Sequence, residues 1–204
     1  MIHLNELQHD ALGEIFNIGV GRAASSLSQI VQDEVLLSAP EVLLVDRNEA
    51  AQLLLGTEFR HFSTVSQQFS GAFEANAMLI FPESNALEIV RLMVGPHMSV
   101  AELSEFEQEA MCEIGNIILN ACMGSLADLL HIRFDSTLPL HRFGTTQSLQ
   151  LPGDGDNPLV LILQVDMIIS QQRIQGHIIF LLSVSSLSAL IDCLNNYLRA
   201  QGLA

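Results

Sequence analysis

The chain contains no lysine and no tryptophan among its 204 residues, and all eight of its basic residues are arginine. Without lysine there is no Walker A phosphate loop and no Schiff-base chemistry. The three cysteines, Cys112, Cys122 and Cys193, are odd in number and lack C-x-x-C spacing, which excludes a disulfide framework and a zinc site. They read as small buried hydrophobes in a reducing compartment. No uninterrupted apolar run approaches the eighteen or so residues that span a bilayer, and the longest, 159–163 and 178–182, are strand-length. The N-terminus has no basic region followed by an apolar stretch, so no leader is expected and the chain is expected to be cytoplasmic. Twenty-three acidic residues against eight basic ones give a net charge of −15, which repels phosphate backbones and anionic lipid. Neither nucleic acid nor membrane is expected as a partner; a protein with a basic rim is. What the chain does have is apolar side chains, 49 % of the total, enough for a sizeable core packed with aliphatic and methionine side chains.

An internal repeat organises the sequence. Shifting it by 99 positions matches Leu4, Glu6, Ala11, Glu14, Ile15, Asn17 and Ile18 to Leu103, Glu105, Ala110, Glu113, Ile114, Asn116 and Ile117. The register runs without a gap to Ser26-Leu27 against Ser125-Leu126, and on to Pro40 against Pro139. Each copy opens with a helix-start signal, Asn5 three residues before Gln8 and Ser104 three residues before Glu107, as in a capping box. Helical spacing then continues to near Val31 and Leu130. Strand-like stretches follow at 35–46 and 134–143, with a short helical segment at 48–55 in the first half only. Further strands are expected at 59–70, 72–81, 147–151, 159–169 and 175–183, and closing helices at 83–94 and 185–199. A turn is expected at 153–158, and Gly95-Pro96-His97 marks the boundary between halves. The expected fold is α+β: one domain over 1–204, built with pseudo-twofold symmetry from a helix–strands–helix unit used twice (1–95 and 99–204). Its sheet is mostly antiparallel, with long helices packed on it.

At about 100° per residue, Asp10, Glu14 and Asn17 share one stripe of the first helix, and Glu109, Glu113 and Asn116 share the matching stripe of the second. Ala11, Leu12, Ile15, Gly19, Ala23 and Ile30 fall on or near the opposite, core side of the first. Ala110, Met111, Ile114, Ile118 and Cys122 do so on the second. Gly21 continues the first stripe; Asn120 and then Gly124 continue the second, and small residues there allow another protein to come close. A helix needs a solvated face, and Glu and Asn can serve as one. Asparagine, however, is a poor helix former that competes for backbone hydrogen bonds, so finding it twice, three residues after Glu, asks for a reason. Neither side chain is a good nucleophile. An amide can hold a water in line with an electrophile, and a carboxylate can anchor a basic side chain or accept a proton. That equipment suits hydrolysis of a bond activated elsewhere.

The arrangement Asp10-x₃-Glu14-x₂-Asn17-x₂₂-Pro40, repeated as Glu109-x₃-Glu113-x₂-Asn116-x₂₂-Pro139, resembles the hallmark pattern of the CheC/CheX/FliY chemotaxis phosphatases. The two-site CheC form is the nearest in layout. The resemblance implies hydrolysis of the aspartyl phosphate of a CheY-like response regulator. Asn17 and Asn116 would each orient the attacking water, and Glu14 and Glu113 would each pair with the receiver's lysine. Asp10, Glu109, Pro40 and Pro139 would play supporting parts at the interface. It also implies that no metal binds stably here, because the Mg²⁺ belongs to the receiver, and it suggests a CheD-like deamidase as a further partner. Three departures stand out. Glu109 replaces Asp or Ser, Phe16 stands where Gly is common, and Arg22 replaces a frequent Asn, whereas Gly115 keeps the small residue. Phe16 either crowds the docking surface or simply packs at its edge, and together with Arg22 it makes the first site the one expected to be weaker. The alternative function is a non-catalytic CheC-like module that docks a response regulator or another chemotaxis partner; a FliY-like switch role is less favoured, since no extra C-terminal domain follows. The seven histidines lack ligand spacing and read as surface or turn residues, and Asp154 and Asp156 lack the terminal Glu of a calcium loop.

Overall fold

The computed structural model describes residues 3–46, 49–50, 52–53, 61–94, 100–145, 159–169 and 172–203. In chain order the elements are α1 (Glu6–Val31), β1 (Val35–Leu37), β2 (Glu41–Asp46), β3 (His61–Gly71), β4 (Ala75–Pro82), α2 (Glu83–Val94), α3 (Val100–Leu130), β5 (Phe134–Ser136), β6 (Leu140–Thr145), β7 (Leu159–Ile169), β8 (Gln172–Leu182) and α4 (Val184–Ala200). The fold is α+β: among the described residues four long helices pack on an eight-stranded sheet in which every pairing is antiparallel. The expected strand 147–151, the turn 153–158 and the boundary 95–97 lie outside the described residues. Of the expected helical segment 48–55, residues 49, 50, 52 and 53 are described and are helical.

The sheet order is β1–β7–β8–β4–β3–β5, with β2 also on β7 and β6 also on β3. Exchanging β1 with β5, β2 with β6, β3 with β7 and β4 with β8 maps this order onto itself. The halves meet at β4 and β8, where Met78 pairs with Ile179. They also trade outer strands. Glu41 of β2 pairs with Gln164 of β7, and Ser66 of β3 pairs with Leu140 of β6.

Period-two alternation along the strands sends Val65, Phe69, Ala77, Leu79, Phe81, Leu161, Leu163 and Phe180 toward the helices. There they meet Leu12, Ile15, Phe16, Met111, Ile114 and Ile118, together with Ile89 of α2 and Leu190 of α4. The reverse face is apolar as well: Met78, Ile80, Val160, Ile162, Ile179 and Leu181 form a second buried cluster with Phe62 and Ala50. This two-sided burial explains the unbroken apolar runs in β7 and β8.

Asn5 caps α1 in a complete capping box: the Gln8 N–H donates to Asn5 Oδ1 and the Asn5 N–H donates to Gln8 Oε1, each at 2.9 Å. Ser104 does not begin the second helix: α3 is already helical from Val100 and runs through it. At the other end the correspondence is close. Gln32 and His131, 99 positions apart, both take left-handed backbone conformations (φ 54° and 55°) just after Val31 and Leu130. Helix α3 also contains a segment, Phe106–Leu130, that is long and apolar enough to cross a membrane. Here Met111, Ile114, Ile118, Leu119, Cys122, Met123 and Leu126 are consumed by the core.

Candidate functional site

Helices α1 and α3 pack against each other over the sheet. At their crossing Gly19 lies so close to α3 that a Cβ would stand 2.8 Å from the Cys122 Cα, so only glycine fits. Burial pushes the Cys122 thiol up to about 12, leaving it inert. Cys112 and Cys193 are half-buried, less enclosed than the sequence suggests. Arg22 bridges the helices to Asp128 at 2.7 Å; both ends are well exposed, so the pair contributes about 1 kcal/mol or less.

On the outward face of α1, Asp10, Glu14 and Asn17 are all exposed, and Gly21 beyond them has open space where a side chain would be. The Asn17 side chain makes no hydrogen bond among the described residues. Phe16 is fully buried and stacks on Phe180, with ring centroids 5.2 Å apart. The expectation that it crowds the docking face is thus corrected: on a helix packed over a sheet, position 16 turns inward with Leu12 and Ile15. One ground for ranking the first site as the weaker goes with it; the other, Arg22, stands. Ile30, assigned to the core side, is instead partly exposed near the helix end.

On α3, Glu109 and Glu113 are exposed, but Asn116 is half-buried. Asn120 Nδ2 donates to Asn116 Oδ1 at 2.7 Å and to its carbonyl oxygen at 2.8 Å. Behind Asn120 lies Gln67 of β3, itself buried; its Oε1 accepts from Asn120 Nδ2 at 3.3 Å, and its Nε2 donates to the Thr137 carbonyl at 2.8 Å. Gly115, the counterpart of Phe16, faces Val65, and a Cβ there would come within 2.4 Å of Val65 Cγ1. At this position α3 meets the sheet through a glycine, where α1 meets it through a phenylalanine ring.

Pro40 and Pro139 occupy matching places, each directly before the second strand of its half, β2 or β6. Both are half-buried. The Pro139 carbonyl accepts a long bond from the Cys112 thiol at 3.8 Å, and Leu138 beside it is 88 % exposed.

One titratable cluster was not anticipated. Under the start of α3, Ser63 Oγ and His141 Nε2 share a hydrogen bond of 2.7 Å, and Glu107 Oε1 lies 3.9 Å from the same nitrogen without a hydrogen-bond partner. Burial raises the Glu107 carboxyl above its ordinary range, the Ser63 hydroxyl partly offsets this, and the Glu83 charge raises it further. Burial pulls His141 down, and also His177, against the charge of Asp166. These two histidines sit within β6 and β8, not in turns. Their strand positions in the repeat could have flagged them. Among the described residues no group of three or more His, Cys, Asp or Glu side chains could hold a metal ion.

A model of the CheC-like family matches residues 7–44, which span α1, β1 and most of β2. The chain is 24 % identical over 200 residues to the CheY-P phosphatase CheC of Bacillus subtilis, covering 94 % of this chain and 95 % of that one. It is 25 % identical over 138 residues to the flagellar motor switch phosphatase FliY of the same organism, covering 67 % of this chain but only 35 % of FliY. The fold matches the crystal structure of Thermotoga maritima FliY (TM-score 0.78, 20 % identity, 96 % of this chain and 100 % of that one). It also matches a chain in the complex of CheX with CheY, BeF₃ and Mg²⁺ from Borrelia burgdorferi (TM-score 0.53, 17 % identity, 81 % and 96 %).

Proposed function

From its homology to the CheC and FliY phosphatases, we propose that this chain hydrolyses the aspartyl phosphate of a CheY-like receiver, at Glu14/Asn17 and Glu113/Asn116. The observation that carries the proposal is that the same acid–amide pair, one turn apart, lies on two helices related by the repeat, exposed at Glu14, Asn17 and Glu113 and half-buried at Asn116. Neither pair contains a nucleophile, which suits a protein that completes another protein's active site. In that arrangement the receiver supplies the phosphoaspartate, its lysine and its own Mg²⁺. Glu14 or Glu113 forms an ion pair with that lysine and fixes the register of docking. The Asn17 or Asn116 amide then holds a water in line with the phosphorus. The water oxygen bonds to phosphorus as the bond from phosphorus to the aspartyl oxygen breaks, giving inorganic phosphate and a free carboxylate. Asp10 and Glu109 flank the pairs on the same stripes, and Pro40 and Pro139 shape the chain that follows each helix. Such receivers work in the cytoplasm, and we place this chain there.

The test is the lifetime of an acetyl-phosphate-charged, Mg²⁺-loaded receiver with and without the chain. Wild type is expected to shorten it, and Asn17→Ala/Asn116→Ala to lose about 100-fold of that acceleration. A double variant as active as wild type would overturn the assignment. Binding of the phospho-receiver with an unchanged lifetime would establish a docking module in place of an enzyme.

A further inference from the structure

We propose that Asn120, backed by Gln67, is a positioning residue that fixes the Asn116 amide, and that the two sites therefore differ in how far they are preorganised; the inference rests on the phosphatase function proposed above. An asparagine within a helix commonly bonds back to the carbonyl four residues earlier, and that alone would satisfy Asn120 without consequence for Asn116. Two further contacts set this one apart. Asn120 Nδ2 also reaches Asn116 Oδ1 at 2.7 Å, so the carbonyl and the side chain of Asn116 share its two N–H groups with Gln67. Gln67 Oε1 receives it from behind at 3.3 Å, held by the bond from Gln67 Nε2 to the Thr137 carbonyl. Gln67 is almost fully buried, and a buried amide of this kind is fixed by its partners.

The chain thus runs from a sheet strand, through two amides, to the side chain that meets the water. Asn116 Oδ1 has two lone pairs, and one stays free for that water after Asn120 has taken the other. On α1 the corresponding place is Gly21, so Asn17 has no such support. Fixing one side chain in advance, when it otherwise has to be immobilised at the moment of reaction, changes a rate by about fivefold. The effect belongs in kcat, because this amide acts on the water while the glutamate carries docking.

Single-site proteins separate the terms. In an Asn17→Ala background, Asn120→Ala is expected to lower kcat toward the phospho-receiver about fivefold and leave KM unchanged. In an Asn116→Ala background, Gly21→Asn is expected to raise kcat a few-fold, since the new amide can reach back to residue 17 within the helix. Gly21→Ala, which also adds bulk to that stripe but carries no donor, is the reference, and the kcat of Gly21→Asn is expected to exceed it. A silent Asn120→Ala, or one that alters only KM, together with a Gly21→Asn that behaves like Gly21→Ala, would overturn the inference. Should Asn120→Ala fail to fold, the Gly21 pair decides alone. If wild type does not accelerate dephosphorylation, or the double Asn variant does so fully, the functional proposal itself falls and takes this one with it.

Discussion

The two long helices carry the same acid–amide pair and support it differently. Helix α1 stands off the sheet on a phenylalanine, Phe16 against Phe180, and leaves Asn17 exposed and unsupported. Helix α3 presses onto Val65 through Gly115, and its Asn116 is half-buried and tied through Asn120 to a buried strand glutamine. A large spacer and a free amide on one side face a glycine contact and a braced amide on the other. A repeated motif can thus keep its residues while its packing diverges, because the stripe facing outward and the stripe facing the core are under separate demands.

Variants at the spacer positions test this contrast most strongly. Phe16→Ala empties a fully buried ring site, and chemical denaturation is expected to read a loss of about 3–5 kcal/mol. Gly115→Ala drives a methyl into Val65 and is expected to cost about 1–3 kcal/mol. Val65→Ala should recover part of that cost in a double-mutant cycle; strict additivity would show that the two residues do not press on each other.

Glu107 separates the halves again, since its repeat counterpart Gln8 is uncharged and bonded to Asn195 at 2.8 Å. Its carboxyl is raised in the folded state, so its favourable contribution is complete below its ordinary 4.5 and is lost as pH rises through the folded value. Near pH 7 the buried charge therefore costs stability. Glu107→Gln is expected to gain stability relative to wild type as pH rises from 4.5 to 7, read by denaturation at each pH. His141 and His177, lowered by burial, act in the opposite sense as pH falls below 6.5, so both profiles are compared with wild type at each pH.

The smallest effect tests where the halves agree. Gln32→Gly and His131→Gly each relieve a left-handed residue after a helix and are expected to raise stability by about 0.5–1 kcal/mol, equally in both halves. Unequal gains would mean that the matching backbones are held by unlike surroundings.

Much of this arrangement was legible in the sequence because it rests on periodicity. The helix ends at Val31 and Leu130, the strand-length runs in β7 and β8, and the outward stripe with Glu14, Asn17, Glu109 and Glu113 all follow from spacing. Three features were missed. The inward turn of Phe16 was one, although at about 100° per residue it lies about 100° from Asn17 and only about 40° from Leu12, so spacing alone already places it with the core. Ser104 imitates a cap, yet α3 already runs through it from Val100. The brace on Asn116 depends on Gln67, which lies in another element, and pairing between elements leaves no mark on local spacing. The exchange of outer strands between halves was invisible for the same reason.

That exchange has a consequence for how the molecule comes into being. Glu41 has to wait for Gln164, and β3 waits for Leu140, before either edge is closed. At roughly 5–20 residues per second on a ribosome, the delay is on the order of ten seconds. During it Leu43, Leu44 and Val45 have no partner strand, and the nascent chain offers an open edge to any other that passes. The interlock that unites the finished protein is thus a window of vulnerability while it is being made, and the slow long-range pairings β2·β7 and β3·β6 are where a chaperone would have most to protect.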